Sequence, residues 1–210
     1  MKKIISALII LFISSFLYAE KIVFSASSMV GQTGNSNATT KLIGAAFVQT
    51  ASIEISAEMI EMSGENYRYI KAEGNISGKN LDTNMEFTCD SLEFDRDTKI
   101  AILKGDVTLT DIENDVKAQA QIIEYNQETE IAVLQIQVKL IQKDNTCNGA
   151  YAIYQKKKQL LEISGNAQVK QKNDIFRAQQ ISLNMDTQEI SLSGNVKGSV
   201  TQEDKKDDSN

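Results

Sequence analysis

The sequence offers few side chains for catalysis. None of its 210 residues is histidine, which excludes Ser-His-Asp and Cys-His catalysis and histidine-ligated metal sites. A phosphate-binding loop and a dinucleotide-binding fingerprint are both absent. A pair of carboxylates, as in glycoside hydrolases, remains as a catalytic arrangement. We therefore predict that the protein is not an enzyme and uses no metal or cofactor, since its acids fall mainly in predicted turns, where we expect them to be solvated: Asp95, Asp97, Asp111, Asp115, Glu128 and Glu130.

The elements that carry these side chains follow a repeat of about 30 residues. One strand of each repeat alternates apolar and polar residues around a central position that is nearly always glycine, as around Gly105. Such period-two alternation between polar turns is typical of a half-buried β-strand. The central positions are Gly44, Gly74, Gly105, Ile136, Gly165 and Gly194.

The second strand of each repeat is centred on a small residue and changes phase after it. An apolar residue precedes the centre by two positions, but in four repeats the next inward residues follow it by three and five, as Leu92 and Phe94 follow Cys89. The Ala118 repeat fits less well, because Gln121 stands at the first of these positions. Such a change of phase indicates a bulge or a bend. A bend at the same place in successive repeats creases the sheet into two facing halves with an apolar inside. The central residues are Ala26, Ala57, Cys89, Ala118, Gly149 and Ala178.

Short polar connections join the strands and favour antiparallel neighbours. The sequence therefore predicts an all-β fold, a creased sheet of about 11–12 mostly antiparallel strands. A parallel β-solenoid of the same period fits the columns nearly as well and remains the alternative. The absence of proline suits a continuous ladder of backbone hydrogen bonds.

The two cysteines are predicted to be small buried core residues. Cys89 and Cys147 occupy inward positions in second strands two repeats apart. Four strand steps of about 4.8 Å separate them by about 19 Å, whereas a disulfide requires Cα atoms within about 7 Å. We therefore expect no disulfide between Cys89 and Cys147.

Three segments divide the chain. Residues 1–19 contain two lysines, a mostly apolar stretch and a small Ala19, as in a secretory signal peptide. Leu17 is large for the cleavage site, so an uncleaved membrane anchor is the alternative. Residues 20–200 are predicted to form the repeat domain and residues 201–210 a disordered acidic tail. The formal net charge of −6 argues against a nucleic-acid partner.

Two short patterns carry a family resemblance that covers residues 22–200. The first strand of the repeat shows Gly-x-Val/Ile, and the second shows apolar-x-small-polar. Together they resemble the LptA/OstA family of periplasmic lipopolysaccharide-transport proteins, although the repeat from Ile131 to Tyr154 departs from the pattern. The patterns occur in Gly74-Asn75-Ile76, Gly105-Asp106-Val107, Gly194-Asn195-Val196, Ile55-Ser56-Ala57-Glu58, Phe87-Thr88-Cys89-Asp90 and Phe176-Arg177-Ala178-Gln179.

The resemblance implies a β-jellyroll whose apolar interior holds the acyl chains of lipopolysaccharide or a similar glycolipid. It implies a periplasmic carrier or bridge subunit for export to the outer membrane. The implied partners are like-fold domains of the inner- and outer-membrane components, joined by edge-strand pairing, and further copies of the chain, head to tail. The expected ligand-binding lining is the inward set that flanks the crease: Phe24, Ile55, Met62, Phe87, Phe94, Val116, Tyr125, Tyr154, Phe176 and Leu183.

Other functions stay open on the residues alone. One is an inner-membrane-anchored component of the same pathway, which would keep the N-terminal segment as a tether. Another is a structural or adhesive β-repeat protein with a closed core and no small ligand. A third is a carbohydrate-active β-helix enzyme, which would need two carboxylates facing one groove about 5 Å or 6.5–9.5 Å apart.

Overall fold

The computed structural model describes residues 21–31 and 39–201, and it is built almost entirely of β-strands. The predicted signal peptide at 1–19 and the tail from residue 202 onward lie outside the described residues. Two 3-10 turns, Glu65–Tyr67 and Lys156–Lys158, lie between strands. The strands are β1 (Val23–Ser25), β2 (Ser28–Gly31), β3 (Thr40–Gln49), β4 (Ile53–Ser63), β5 (Tyr69–Asn80), β6 (Met85–Asp95), β7 (Ile100–Asp111), β8 (Val116–Asn126), β9 (Ile131–Gln142), β10 (Asn145–Gln155), β11 (Leu160–Gln171), β12 (Asp174–Asn184), β13 (Ile190–Ser193) and β14 (Lys197–Ser199).

These strands form one antiparallel sheet whose order follows the chain from β3 to β12. The predicted antiparallel meander is thereby confirmed, and the parallel solenoid is wrong. β1 and β2 both pair with β3, while β13 and β14 both pair with β12. Each end of the sheet is thus one creased strand broken in two. Counting each broken pair once reduces the 14 strands to twelve, which agrees with the repeat.

Alternation along each strand places the core between the two halves of the creased sheet. In β8, Val116, Ala118, Ala120, Ile123 and Tyr125 are buried, whereas the residues between them are not. The buried residues of the ten long strands β3 to β12 form one continuous apolar cluster. Each repeat therefore packs on its neighbours, and a single core extends along the whole sheet.

The crease is made by a two-residue bulge in each glycine-centred strand. Glu73 pairs with Ser91 and Ile76 pairs with Cys89, so the two residues Gly74 and Asn75 lie opposite a single residue of β6. Both have left-handed backbone angles, with φ of 80° and 46°. The sequence placed the bend in the second strand, but the extra residue belongs to the first. The second strand has one residue fewer opposite the bulge, so its alternation changes phase there. Side chains of both strands then point inward on both sides of the bulge.

One predicted centre is wrong. The sequence predicts Ala118 as the centre of β8, but Ala120 takes that place, because it pairs with Val107 beside the bulge of β7. From Ala120, the buried Ile123 and Tyr125 follow by three and five residues, as in the other repeats. Because Ala118 and Ala120 are the same residue type two positions apart, the sequence pattern could not distinguish them.

Ile136 occupies the bulge position that is glycine in the other repeats. Its φ is 66°, a conformation that crowds a β-branched side chain, and 53% of its surface is exposed. We expect Ile136→Gly to raise the free energy of unfolding by about 1 kcal/mol, as measured by urea denaturation. The matched control is Ile43→Gly, at an exposed strand position without a left-handed φ, which should lose about 0.5–1 kcal/mol. A similar loss in both variants would contradict strain at Ile136.

Candidate functional site

The inside of the crease contains most of the residues that the sequence predicts as a lining. Phe24 lies on β1 and is 46% exposed, and Phe176 on β12 is half-buried. Both rings lie close to the ends of the sheet, where fewer strands cover the inside. The other eight are at most 6% exposed and pack in the core: Ile55, Met62, Phe87, Phe94, Val116, Tyr125, Tyr154 and Leu183.

The strand ends form two rows along the sheet, which we call its long edges. These two rows meet on the side opposite the crease. One edge carries the C-terminal ends of the odd-numbered strands β3 to β11, and the other carries those of the even-numbered strands β4 to β12. A flat strand as long as β10 spans about 36 Å. However, the Tyr154 hydroxyl at one edge lies 2.8 Å from Asp111 Oδ2 at the other. The sheet is therefore closed into a roll, and we call the line where its edges meet the seam.

A buried polar group joins the edges near the middle of the seam. The Lys156 ammonium donates to the Thr83 carbonyl oxygen at 2.6 Å and to Asp111 Oδ1 at 3.0 Å. The Tyr154 hydroxyl donates to the second oxygen of Asp111. On the solvent side, Glu113 Oε2 lies 2.9 Å from the same ammonium, and its side chain is 65% exposed. We call Thr83, Asp111, Tyr154 and Lys156 the seam cluster.

Contacts across the seam are offset along the sheet by three strands. Tyr154 of β10 donates to Asp111 at the end of β7, and the Tyr125 hydroxyl of β8 donates to Thr83 Oγ1 beyond the end of β5, at 3.1 Å. Towards the C-terminal end, Gln188 accepts from the Asn145 side-chain amide. The strands therefore cross the roll obliquely, so that each end lies opposite a strand three places along the sheet.

Burial and charge shift the pKa values of two groups in the seam cluster. Burial by itself lowers the pKa of Lys156, but hydrogen bonds with Glu113 and Asp111 outweigh it, so the pKa is raised. Burial raises the pKa of the Tyr154 hydroxyl, and the adjacent Asp111 carboxylate raises it further. Lys156 therefore stays charged and Tyr154 stays able to donate. Neither group is poised to exchange protons near neutral pH, which suits a role in closure and not in acid–base chemistry.

Asp111 corrects the expectation that the turn acids are solvated. Only 1% of Asp111 is exposed. It also caps its own turn, because its Oδ1 accepts the backbone N–H groups of Glu113 and Asn114. The remaining turn acids in the prediction are exposed or half-buried. Lys156, at the start of the 3-10 turn Lys156–Lys158, is also buried, with 5% exposed.

The sequence contained a signal for both of these residues. The alternation of the glycine-centred strands, continued to the sixth residue after the centre, ends on Thr50, Asn80, Asp111, Gln142 and Gln171. The alternation of the second strands, continued to the seventh residue after the corrected centre, ends on Gly64, Arg96, Gln127, Lys156 and Met185. These two columns are the edges of the roll, and the inward phase marks them as neighbours across the seam.

Three buried polar atoms at the edges lack a hydrogen-bond partner among the described residues. They are Asn80 Nδ2, Gln127 Oε1 and Asn145 Oδ1. Asn80 ends β5, Asn145 begins β10, and Gln127 follows β8, so all three lie beside the seam. Unpaired buried polar atoms cost free energy. The closed seam therefore carries a polar penalty that the apolar core does not have.

Cys89 and Cys147 are both free and buried, on β6 and β10, four strands apart. Burial raises the pKa of each thiol to about 12, which keeps both unreactive. Within residues 21–31 and 39–201, no group of three or more acidic or cysteine side chains is placed to hold a metal ion. In that same part of the chain, no helix has the length and apolar character needed to cross a membrane.

Comparisons with known proteins agree with this architecture. Residues 86–189 match the family model described as LptA/(LptD N-terminal domain) LPS transport protein. LptH from Pseudomonas aeruginosa, the LptA-homologous periplasmic component of a lipopolysaccharide transport device, superposes with a TM-score of 0.54. The two chains are 15% identical, and the match covers 58% of this chain and 97% of LptH. No curated protein sequence matches the chain.

The two matches support different conclusions. At 15% identity, the similarity to LptH shows the fold alone, an antiparallel β-jellyroll. The family match extends from β6 to the residue before β13, so it includes the bulges of β7, β9 and β11 and most of the seam cluster. The predicted resemblance is therefore confirmed: over residues 86–189 the chain matches the family of LptA and the LptD N-terminal domain, which are lipopolysaccharide-transport proteins, and its fold is that of an LptA homologue.

Proposed function

We propose that this protein is a periplasmic carrier or bridge subunit that moves lipopolysaccharide, or a similar glycolipid, towards the outer membrane. Its family and its jellyroll fold support the proposal. The observation that carries it is an apolar interior that runs through all ten long strands and is bounded at the seam by side-chain contacts. Parting those contacts opens the interior while the hydrogen-bonded ladder of the sheet stays intact.

Acyl chains can supply the free energy that this opening requires. Each buried methylene contributes about 0.8 kcal/mol, so one chain of about twelve carbons contributes roughly 10 kcal/mol. Inside the roll, the chains contact the same apolar side chains that contact one another in the closed form. Apolar contact is exchanged for apolar contact, and the polar outer face keeps the loaded carrier in solution.

The lining that we propose is the inward set predicted from the sequence. Phe94 and Ile55, which are 2% and 0% exposed, represent its central part. Phe24 and Phe176 lie near the two ends of the sheet and are the most accessible members. We propose that these two rings contact the acyl chains that pass between neighbouring domains. The head group is expected to stay in water, because the residues that alternate with the lining are mostly polar.

The ends of the sheet support partners of the same fold. Val30 at one end is 66% exposed, and Val200 close to the other end is 68% exposed. Open edge strands with apolar side chains favour pairing with another chain. We propose that these ends pair with like-fold domains of the inner- and outer-membrane components and with further copies, head to tail. Twelve strands at about 4.8 Å give each copy a length of about 55 Å.

A photo-crosslinking experiment tests acyl-chain binding. We expect benzoylphenylalanine at Phe94 or Phe87, both inside the roll, to form crosslinks with glycolipid in cells. The matched controls are Tyr69 and Tyr151, aromatic residues that are 43% and 40% exposed. Tyr69 lies on the strand next to Phe94, so it samples the outer face of the same part of the sheet.

The pattern of crosslinks decides between the functions. Glycolipid on the inner positions, with little on Tyr69 and Tyr151, would support a carrier. Crosslinks of equal yield on both faces would indicate contact with lipid at the surface only. No glycolipid at any position would favour a structural β-repeat protein with a closed core.

A further inference from the structure

The seam differs from every other line of contact in the roll. Neighbouring strands are joined by backbone ladders, and successive turns are joined by backbone bonds along each edge, such as Ile112 N–H to Asn84 O and Lys156 N–H to Glu130 O. Across the seam, the hydrogen bonds of the seam cluster join side chains, or a side chain and a carbonyl, 42 to 73 residues apart. Such contacts can part and re-form as a unit.

The chemistry of the seam cluster lowers the cost of parting. The side chains of Asp111 and Lys156 are 0% and 5% exposed, and both regain water when the edges separate. A buried ion pair roughly breaks even against its loss of hydration, so it specifies the closed geometry more than it stabilises it. The unpaired atoms of Asn80, Gln127 and Asn145 gain water at the same time. An apolar seam would gain nothing from opening.

We propose that the seam cluster is a reversible gate: the two edges part about the bulge column, and the opening admits apolar chains sideways into the roll. The identity of these chains as acyl chains of a glycolipid rests on the proposed function, whereas the opening of the seam does not. The bulge column lies opposite the seam in each long strand, so rotation there separates the edges most. Glu113, which is 65% exposed beside Lys156, marks where water reaches the closed gate.

Two variants should move the gate in opposite directions. Lys156→Ala leaves the Asp111 carboxylate without its cation, and hydration of that charge favours the open form. The triple variant Asp111→Leu, Tyr154→Phe and Lys156→Met replaces the ion pair with apolar contact, removes the hydroxyl that Asp111 accepts from, and favours the closed form. The matched control is Lys157→Ala in the same turn, because Lys157 is 58% exposed and pairs with Glu130 on its own edge.

The native cysteines report on opening without added labels. Cys147 lies two residues from Asn145 at the seam edge, whereas Cys89 lies beside the bulge column, and both are buried. At pH 8, a maleimide reaches Cys147 only when the gate opens. We expect Lys156→Ala to speed Cys147 labelling about tenfold or more, with weak dependence on urea, as local opening requires. The apolar triple variant should slow it, and Lys157→Ala should match the wild type.

The labelling rates distinguish local opening of the gate from a general loss of stability. Equal acceleration at Cys89 and Cys147, with the urea dependence of global unfolding, would overturn the gate, as would unchanged labelling in the apolar variant. Uptake of fluorescent lipid A should follow the same order of variants. Equal uptake of lipid A by the wild type and the gate variants would overturn the sideways route. Labelling in the expected order, with no lipid A bound by any variant, would leave the gate standing and remove the proposed function.

Discussion

Ionisation of the two thiols of the unfolded chain is expected to lower the free energy of unfolding by about 5 kcal/mol between about pH 9 and pH 11. Burial raises the pKa of Cys89 and Cys147 to about 12, from an ordinary value of 9.0. Above the ordinary value, the folded chain keeps two protons that the unfolded chain releases. Each such group removes about 1.4 kcal/mol of stability per pH unit between its two pKa values. Since domains of this kind are stable by about 5–15 kcal/mol, this loss is large.

The buried tyrosines act in the same direction. Burial raises the pKa of Tyr125 to about 12, from 10.0, and burial with the Asp111 charge raises that of Tyr154. The stability from all four groups is fully present below the thiol value of 9.0 and is lost as the pH rises towards about 12. Alkaline pH should therefore lower the free energy of unfolding through groups in the core.

Urea denaturation in reducing buffer, repeated from neutral pH to pH 11, measures this loss. The matched control is the double variant Cys89→Ala with Cys147→Ala, because alanine already fills the equivalent inward positions at Ala57 and Ala118. This variant should be less stable at neutral pH but should keep only the tyrosine part of the alkaline loss. Stability of the wild type that stays level up to pH 11 would contradict burial of the thiols.

Gly105→Val is expected to lower the free energy of unfolding by about 2–5 kcal/mol. Gly105 has φ of 79°, which disfavours a side chain by about 1–2 kcal/mol. A Cβ atom there would lie 2.2 Å from Asp90 Oδ2 and 2.8 Å from Asp90 Cβ, so the bulge must also shift. Such overpacking typically costs about 1–3 kcal/mol more.

Chemical denaturation compares this variant with Lys104→Val, its matched control. Lys104 directly precedes Gly105 on β7, is exposed and has no left-handed φ, so its substitution should change stability by about 0.5 kcal/mol or less. An equally small effect at Gly105 would show that the crease does not depend on its bulge residues. A large effect at Gly105 alone would support the crease as the organising feature of the fold.

The repeat allowed the strands and the crease to be predicted because both depend on local pattern. Val107 and Leu109 alternate with polar residues, and the glycine centre recurs once per repeat, so pairing and facing follow from period two. The side of the ladder that carries the extra residue did not follow. Gly74 and Asn75 reveal it only through their pairing with β6.

The seam could not be predicted in the same way, since it depends on how far the sheet rolls. Asp111 and Lys156 meet only because edges three strands apart come together, and nothing in a single repeat specifies that offset. Asp111 ends β7 just before a turn, and Lys156 begins a turn. Solvated charge is the usual outcome at such positions. Only the inward phase at the strand ends distinguished them. The interior lining was easier to predict than its closure, because burial follows the alternation.

Native mass spectrometry of the protein, purified under mild conditions from the cells that make it, tests whether the roll carries a glycolipid. We expect a population that carries a glycolipid mass, which is lost when an inward residue such as Leu140 is changed to aspartate but kept when the outward Lys139 is changed to aspartate. Folding of both variants is checked by circular dichroism. A folded wild-type protein that carries no lipid at any concentration would contradict the carrier function.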